Sequence, residues 1–158
     1  MQGHYDQELW GLSVLNGRRE FITGGQDKLL IKWDADSRKM VYKKKIDHAI
    51  NSIDINRSGL IAVGQRNGIV SFYDSNKLEY QKRIASFKNP DKDMISVVKF
   101  SPSGNVLAVG YCPPISKVYL YDVESSKKIG KCQGSPSRIL SIDFSRDGNS
   151  IMINNTSY

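Results

Sequence analysis

The chain has 158 residues, of which 39% are hydrophobic, so it is long enough to form one globular domain with a packed core. Its 23 Lys and Arg residues against 16 Asp and Glu residues give a net charge of +7, which favours an acidic partner without choosing among nucleic acid, anionic membrane and acidic protein. No apolar signal opens the chain and no uncharged run is long enough to span a bilayer, so an intracellular chain without a membrane segment is expected.

The two cysteines predict neither a zinc site nor a disulfide framework. Cys112 and Cys132 have no CxxC motif and no neighbouring His, so free thiols are expected.

One unit of alternating apolar runs recurs along the chain. The first run of each unit is ELWGLSVL (8–15), AINSIDI (49–55), ISVVKF (95–100) and ILSIDF (139–144). The second is REFITGG (19–25), GLIAVG (59–64) and NVLAVG (105–110), and the third ends in an aromatic residue and Asp as LIKWD (30–34), VSFYD (70–74) and VYLYD (118–122). Basic segments with room for a further strand separate the units, so each complete unit predicts a four-stranded antiparallel meander.

Repeats of about 40 to 45 residues that end in Trp-Asp are typical of WD-repeat propeller blades. The sequence therefore predicts an all-β fold, a WD-repeat β-propeller fragment of about three and a half four-stranded blades within residues 1–158. The predicted blades span 8–46, 49–86, 94–132 and an incomplete 138–158. Since closed propellers use about four to eight blades, the missing blades are expected from the same longer chain or from another copy.

The stretch TGGQDKLLIKWD (23–34) allows three interpretations. A phosphate loop is disfavoured because the GxxxxGK[ST] spacing is absent and a strand follows instead of a helix. An active-site acid at Asp27 is disfavoured because no second carboxylate or nucleophile accompanies it. The favoured interpretation is structural: His4, Thr23, Asp27 and Trp33 are predicted to form a buried hydrogen-bonded network that braces the first blade.

The later units keep only parts of this network. Asn67 stands in the place of Asp27, Tyr73 and Tyr121 replace Trp33, and Ser135 stands where a His is expected. His48 matches His4 in position, although a solvated turn histidine explains it equally well.

The motifs together resemble the echinoderm microtubule-associated protein-like family, whose atypical propellers are built from divergent WD repeats. The segments that carry the resemblance are GHYDQELWGLSVL, FITGGQDKLLIKWD, SVVKFSPSGNVLAVG and GKCQGSPSRILSIDFSRDGNSIMINN. The resemblance implies a non-enzymatic scaffold of the cytoplasm and cytoskeleton that needs no cofactor and binds tubulin or microtubules. A general WD-repeat scaffold in ciliary transport or RNA processing, and a propeller domain attached to an enzyme, are the alternatives.

Basic residues concentrate between the units, where outer strands and rim loops are expected. Lys43, Lys44 and Lys45 form the candidate partner patch, and an ordinary solvated rim is the competing interpretation. Direct binding to RNA is not favoured, because no RNP-like aromatic motif accompanies the charge.

Overall fold

A computed structural model describes residues 3–84, 94–114, 116–132 and 137–156. Ser135, which stands where a His is expected, lies outside these residues. The described residues form strands and turns and contain no helix. They therefore include no helix that is long and apolar enough to cross a membrane. The strands are β1 Leu9–Val14, β2 Glu20–Gly25, β3 Leu29–Asp34, β4 Lys39–Lys45, β5 Ile50–Ile55, β6 Leu60–Gln65, β7 Val70–Asp74, β8 Tyr80–Ile84, β9 Ile95–Phe100, β10 Val106–Tyr111, β11 Val118–Asp122, β12 Lys128–Cys132, β13 Ile139–Phe144 and β14 Ile151–Asn155.

The strands form successive antiparallel meanders, which confirms the predicted propeller fragment. Blade 1 is β1 to β4, blade 2 is β5 to β8, blade 3 is β9 to β12, and the fourth sheet, blade 4, pairs β13 with β14. The first strands β1, β5, β9 and β13 are neighbours in space in that order. The ends of these strands line an open cleft of about 340 Å³. The exact blade limits assigned from the sequence stay a prediction.

Most of the core lies between the blades, although Leu29, Ile31 and Trp33 form a smaller buried cluster within blade 1. Ile22 and Leu30 of blade 1 belong to the same buried cluster as Ile53 and Ile61 of blade 2. A second cluster joins blades 2 and 3, and a smaller one joins blades 3 and 4. Burying each such aliphatic side chain stabilises the fold by about 1.5 to 3 kcal/mol, so each blade depends on its neighbour.

In blades 1 to 3 each second strand has a glycine one residue before its end, where a side chain of the neighbouring blade packs against the backbone. A Cβ built at Gly64 would lie 2.7 Å from Ile95 Cγ2, and one at Gly24 would lie 2.6 Å from Ile53 Cδ1. Both distances are shorter than carbon contacts in packed proteins. The glycines of REFITGG, GLIAVG and NVLAVG therefore allow one sheet to pack on the next.

The hairpins between the third and fourth strands of blades 1 and 3 share one design. In blade 3 the Ser125 hydroxyl and amide both donate to Asp122 Oδ1, over 2.5 and 2.8 Å. These bonds hold the pKa of the Asp122 carboxyl below its ordinary value, and Ser37 acts on Asp34 in the same way. One residue further along, Ser126 has a φ of 57°, in the left-handed region.

Ser126→Gly is expected to raise the free energy of unfolding by about 0.5 to 1 kcal/mol, because a left-handed φ is strained for serine and free of strain for glycine. The measurement is the midpoint of urea unfolding at constant slope. Ser125→Gly is the neighbouring control, and it should lower the midpoint because it removes the hydroxyl bond to Asp122. A lower midpoint for Ser126→Gly than for the parent chain would contradict the expectation.

Candidate functional site

The four residues of the predicted network lie together on one side of blade 1. His4 Nδ1 is 2.7 Å from Asp27 Oδ2, and His4 Nε2 is 2.8 Å from Thr23 Oγ1. Trp33 Nε1 donates to the same Thr23 oxygen over 2.7 Å, while Leu29 donates its backbone N–H to Asp27 Oδ1 over 3.1 Å. The segment that precedes β1, the end of β2, the turn after it and β3 thus meet at one point.

One arrangement of protons satisfies the whole chain of contacts. With the imidazole proton on Nδ1, His4 donates to Asp27 and accepts the Thr23 hydroxyl proton, and that hydroxyl accepts from Trp33. The side chains of His4 and Asp27 are only 9% and 4% exposed. Polar groups buried to this extent are costly unless they are bonded, so this network is suited to holding strands together.

Trp33 is packed as well as hydrogen-bonded. Its ring stacks on Phe21 with the centroids 6.2 Å apart, and a Cβ at Gly3 would lie 3.2 Å from its Cη2 atom. Although blade 1 is the first blade of the chain, Trp33 and the neighbouring Ile31 are buried. The segment before β1 therefore covers the outer half of the open face of this blade.

Blade 2 uses a different set of groups at the equivalent place. Asn67 Oδ1 accepts the Ile69 N–H over 3.2 Å, as Asp27 does for Leu29. Gln65 Nε2 donates to Ser71 Oγ over 2.6 Å. This buried hydrogen bond was not predicted from the sequence. His48 is exposed, and no hydrogen bond described for this part of the chain includes it. Among the alternatives for His48, the solvated turn residue fits its position.

The three lysines of the candidate patch do not share one face of β4. Consecutive residues of a strand point to opposite sides, so Lys44 is turned away from Lys43 and Lys45. The Lys44 ammonium lies over the Tyr73 ring of blade 2, 5.6 Å from its centroid. Lys43 and Lys45 are exposed. The residues that remain available to a partner are therefore Lys43 and Lys45.

Another basic residue between the units also joins two blades. Lys82 of blade 2 donates to the backbone oxygens of Val123 and Glu124 in blade 3, and its ammonium lies 5.6 Å from the Phe72 ring centroid. Lys32, inside β3, is 4% exposed and pairs with Glu20 Oε1 at 3.0 Å. Lys82 and Lys32 therefore make contacts within the fold and are less available to a partner than the exposed lysines.

The inner strands carry a polar clamp that the sequence analysis also missed. Ser52 Oγ accepts the Val98 N–H over 3.1 Å, and Asp54 Oδ2 accepts the Phe100 N–H over 2.8 Å. Two side chains of blade 2 therefore hold two successive edge amides of blade 3. A signal was present in the sequence, because Ser-Ile-Asp occurs at 52–54 and again at 141–143.

No group of three or more His, Cys, Asp or Glu side chains suited to a metal ion occurs within residues 3–84, 94–114, 116–132 and 137–156. Cys112 is buried, Cys132 is half-buried, and both are free thiols. The turn at 26–28 leads into β3, and both oxygens of Asp27 are bonded. The geometry therefore favours the structural interpretation of the stretch 23–34.

The chain is similar over its whole length to named proteins of one family. It is 34% identical to human echinoderm microtubule-associated protein-like 2, over 100% of this chain and 24% of that protein. It is 34% identical to the human like-3 protein over 100% of this chain and 17% of that protein, and 32% identical to the human like-1 protein over 99% and 19%. The chain thus spans a quarter or less of these relatives.

A solved structure shows the same fold. The β-propeller domain of Cps50 (Swd1) from Myceliophteria thermophila superposes with a TM-score of 0.81 at 16% identity, over 98% of this chain and 50% of that one. The family model described as the second beta-propeller of echinoderm microtubule-associated protein matches residues 9–158. The chain belongs to the echinoderm microtubule-associated protein-like family, and it forms part of a propeller of that kind.

Proposed function

We propose that the chain is a non-enzymatic platform of the cytoplasmic cytoskeleton that binds tubulin or microtubules through a propeller surface. The names of its relatives describe microtubule-associated proteins, and the family supports a scaffold of that type. The observation that carries the proposal is the pair of exposed lysines, Lys43 and Lys45, on the outer strand of blade 1.

The sheet fixes the position of this pair. Lys43 lies opposite Ile31 in the strand register and Lys45 lies opposite Leu29, so the two backbones are held by the ladder between β3 and β4. Two charges presented by a rigid sheet can attract an acidic protein surface without the cost of ordering a loop. Since both are solvated, the attraction should weaken as salt is added.

Charge reversal of Lys43 and Lys45 to Glu is expected to weaken binding to microtubules by about tenfold or more at low salt, because two attractive contacts become repulsive. The measurement is co-sedimentation of the 158-residue chain with microtubules across a salt series, with soluble tubulin as a second partner.

The matched control reverses Lys127 and Lys131, two exposed lysines of blade 3, which changes the net charge by the same amount. Equal weakening by both double variants would indicate a general charge effect and would count against the Lys43 and Lys45 surface. The absence of binding to microtubules and tubulin at low salt would overturn the proposed partner.

A further inference from the structure

A narrow polar cavity, called the waist below, lies where blade 1 meets blade 2. Its walls are the β1–β2 hairpin of blade 1 and the β5–β6 and β7–β8 hairpins of blade 2. The waist has a volume of about 80 Å³, which is room for one small polar group. Both blades that form it are described in full, so the waist is a feature of the contact between two neighbouring blades.

The waist opens at each end into a wider space. Toward the first strands it shares Asn56 and Arg57 with the open cleft. Toward the outer strand it shares Ser75 and Asn76 with a cavity of about 280 Å³ that reaches Gln81 of β8. Because neighbouring strands lie about 4.8 Å apart, the path from β5 to β8 is about 14 Å, the length of about four residues of extended chain. The three spaces thus form one groove across blade 2.

The waist carries positive charge. Arg18 and Arg57 line it, and no acidic side chain of the described residues does. Arg57 is exposed and makes no ion pair or side-chain hydrogen bond within the described part of the chain. Arg18 Nη1 donates to Asn76 Oδ1 over 3.0 Å and lies 3.7 Å from Glu20 Oε2, so its charge is partly paired. The free charge of the waist therefore matches one carboxylate better than a phosphate dianion.

A buried hydroxyl without a partner lies in the wall of the groove. Ser75 is 5% exposed, and no hydrogen bond among the described residues includes its Oγ atom. A Cβ built at Gly59 would collide with this oxygen, so the glycine leaves room for it. Buried polar groups are normally hydrogen-bonded. The Ser75 hydroxyl, which borders both the waist and the cavity beyond it, therefore indicates a ligand that supplies an acceptor.

We propose that this groove binds an extended acidic segment of a partner protein, with one Asp or Glu carboxylate in the waist. The carboxylate accepts hydrogen bonds from the Arg57 guanidinium, from the remaining N–H groups of Arg18 and from the Ser75 hydroxyl. The backbone of the segment runs through the wider spaces on either side. This site is separate from Lys43 and Lys45 and does not depend on binding to microtubules.

The first test is an NMR titration of the isotope-labelled 158-residue chain with the peptide Gly-Ser-Glu-Glu-Glu-Glu-Ser-Gly at low salt. We expect saturating shifts of the backbone amides of 56–59 and 75–76. The same peptide with Gln in place of each Glu should cause no shift at equal concentration, because it lacks the charge. The absence of saturating shifts up to millimolar acidic peptide, or shifts confined to other parts of the chain, would overturn the proposal.

The second test uses variants of the waist. Arg57→Gln should raise the dissociation constant of the acidic peptide by about tenfold, and Ser75→Ala by about threefold or more, since each removes a donor to the carboxylate. Arg66→Gln is the matched control, because Arg66 is an exposed arginine in the turn at the opposite end of β6. It removes the same charge and should leave the dissociation constant unchanged. Equal effects of Arg57→Gln and Arg66→Gln would indicate a general charge effect and would overturn the assigned site.

Two further measurements complete the test. The urea midpoint of Ser75→Ala should equal that of the parent chain, since the hydroxyl has no partner to lose, and weaker binding by this variant then reports the site itself. Inorganic phosphate separates an acidic segment from a free anion. If phosphate alone shifted the same amides at a lower concentration than the peptide does, the site would belong to a free anion, and the acidic segment would be the wrong occupant.

Discussion

Replacing Trp33 with alanine is expected to lower the free energy of unfolding by about 3 to 5 kcal/mol, the range for deletion of a large buried aromatic side chain. Trp33 is 7% exposed, stacks on Phe21 and donates to Thr23, so the change removes packing and a hydrogen bond together. The loss is a large share of the stability of an ordinary domain. Urea unfolding followed by far-UV circular dichroism measures it without depending on the deleted fluorophore.

Trp33→Tyr is the conservative control, because Tyr73 and Tyr121 hold the equivalent positions in blades 2 and 3. It keeps an aromatic ring for Phe21 to stack on, so its cost should be well below that of alanine. If the urea midpoint of Trp33→Ala equalled that of the parent chain, the indole ring would not contribute to the stability of blade 1, and the prediction would be wrong.

The second large effect is expected for Asp27→Ala, which should lower the free energy of unfolding by about 1 to 3 kcal/mol. The change leaves the Leu29 N–H and the His4 Nδ1 proton without the acceptors that they have in the parent chain. Since His4 tethers the segment before β1, the same change should also loosen the cover over Trp33. The measurement is the midpoint of chemical unfolding at constant slope.

Asp27→Asn separates the two contacts of this side chain. An asparagine can keep the turn bond to Leu29, as Asn67 does for Ile69, while it loses the charge opposite His4. We expect a smaller loss than for alanine. An asparagine variant as unstable as the alanine variant would assign the whole effect to the contact with His4, and an alanine variant as stable as the parent chain would contradict the bracing role.

The repeat made the fold predictable from the sequence. The endings at 30–34, 70–74 and 118–122 predicted third strands, and the structure has them at Leu29–Asp34, Val70–Asp74 and Val118–Asp122. Alternation and glycine are local signals that every blade repeats, so each unit supported the interpretation of the others.

Contacts between blades were harder to predict, because they join residues far apart in the chain. The bonds of Ser52 and Asp54 to Val98 and Phe100 cross more than 40 residues, and no single unit reveals them. The buried Lys32 was missed for a related reason, since its partner Glu20 lies on another strand.

The lysine patch shows how a cluster in sequence differs from a surface in space. Three consecutive lysines were interpreted as one basic patch, but a strand turns alternate side chains to opposite faces. Lys44 lies over Tyr73 as a result, and Lys43 and Lys45 remain exposed. The network of blade 1 was easier to predict because its four residues follow a known spacing within one unit.

The placement of the apolar clusters between blades also has a consequence for local unfolding. Blade 2 contributes to a cluster on each of its faces, whereas blade 4 contributes to one small cluster through β13 and β14. Opening the last sheet therefore exposes little apolar surface, while opening β6 or β7 would disrupt two clusters at once. In such an array the cost of opening one sheet depends on how many neighbouring sheets it packs against, so β6 and β10, whose blades each contribute to two clusters, should be among the last strands to exchange their amide protons.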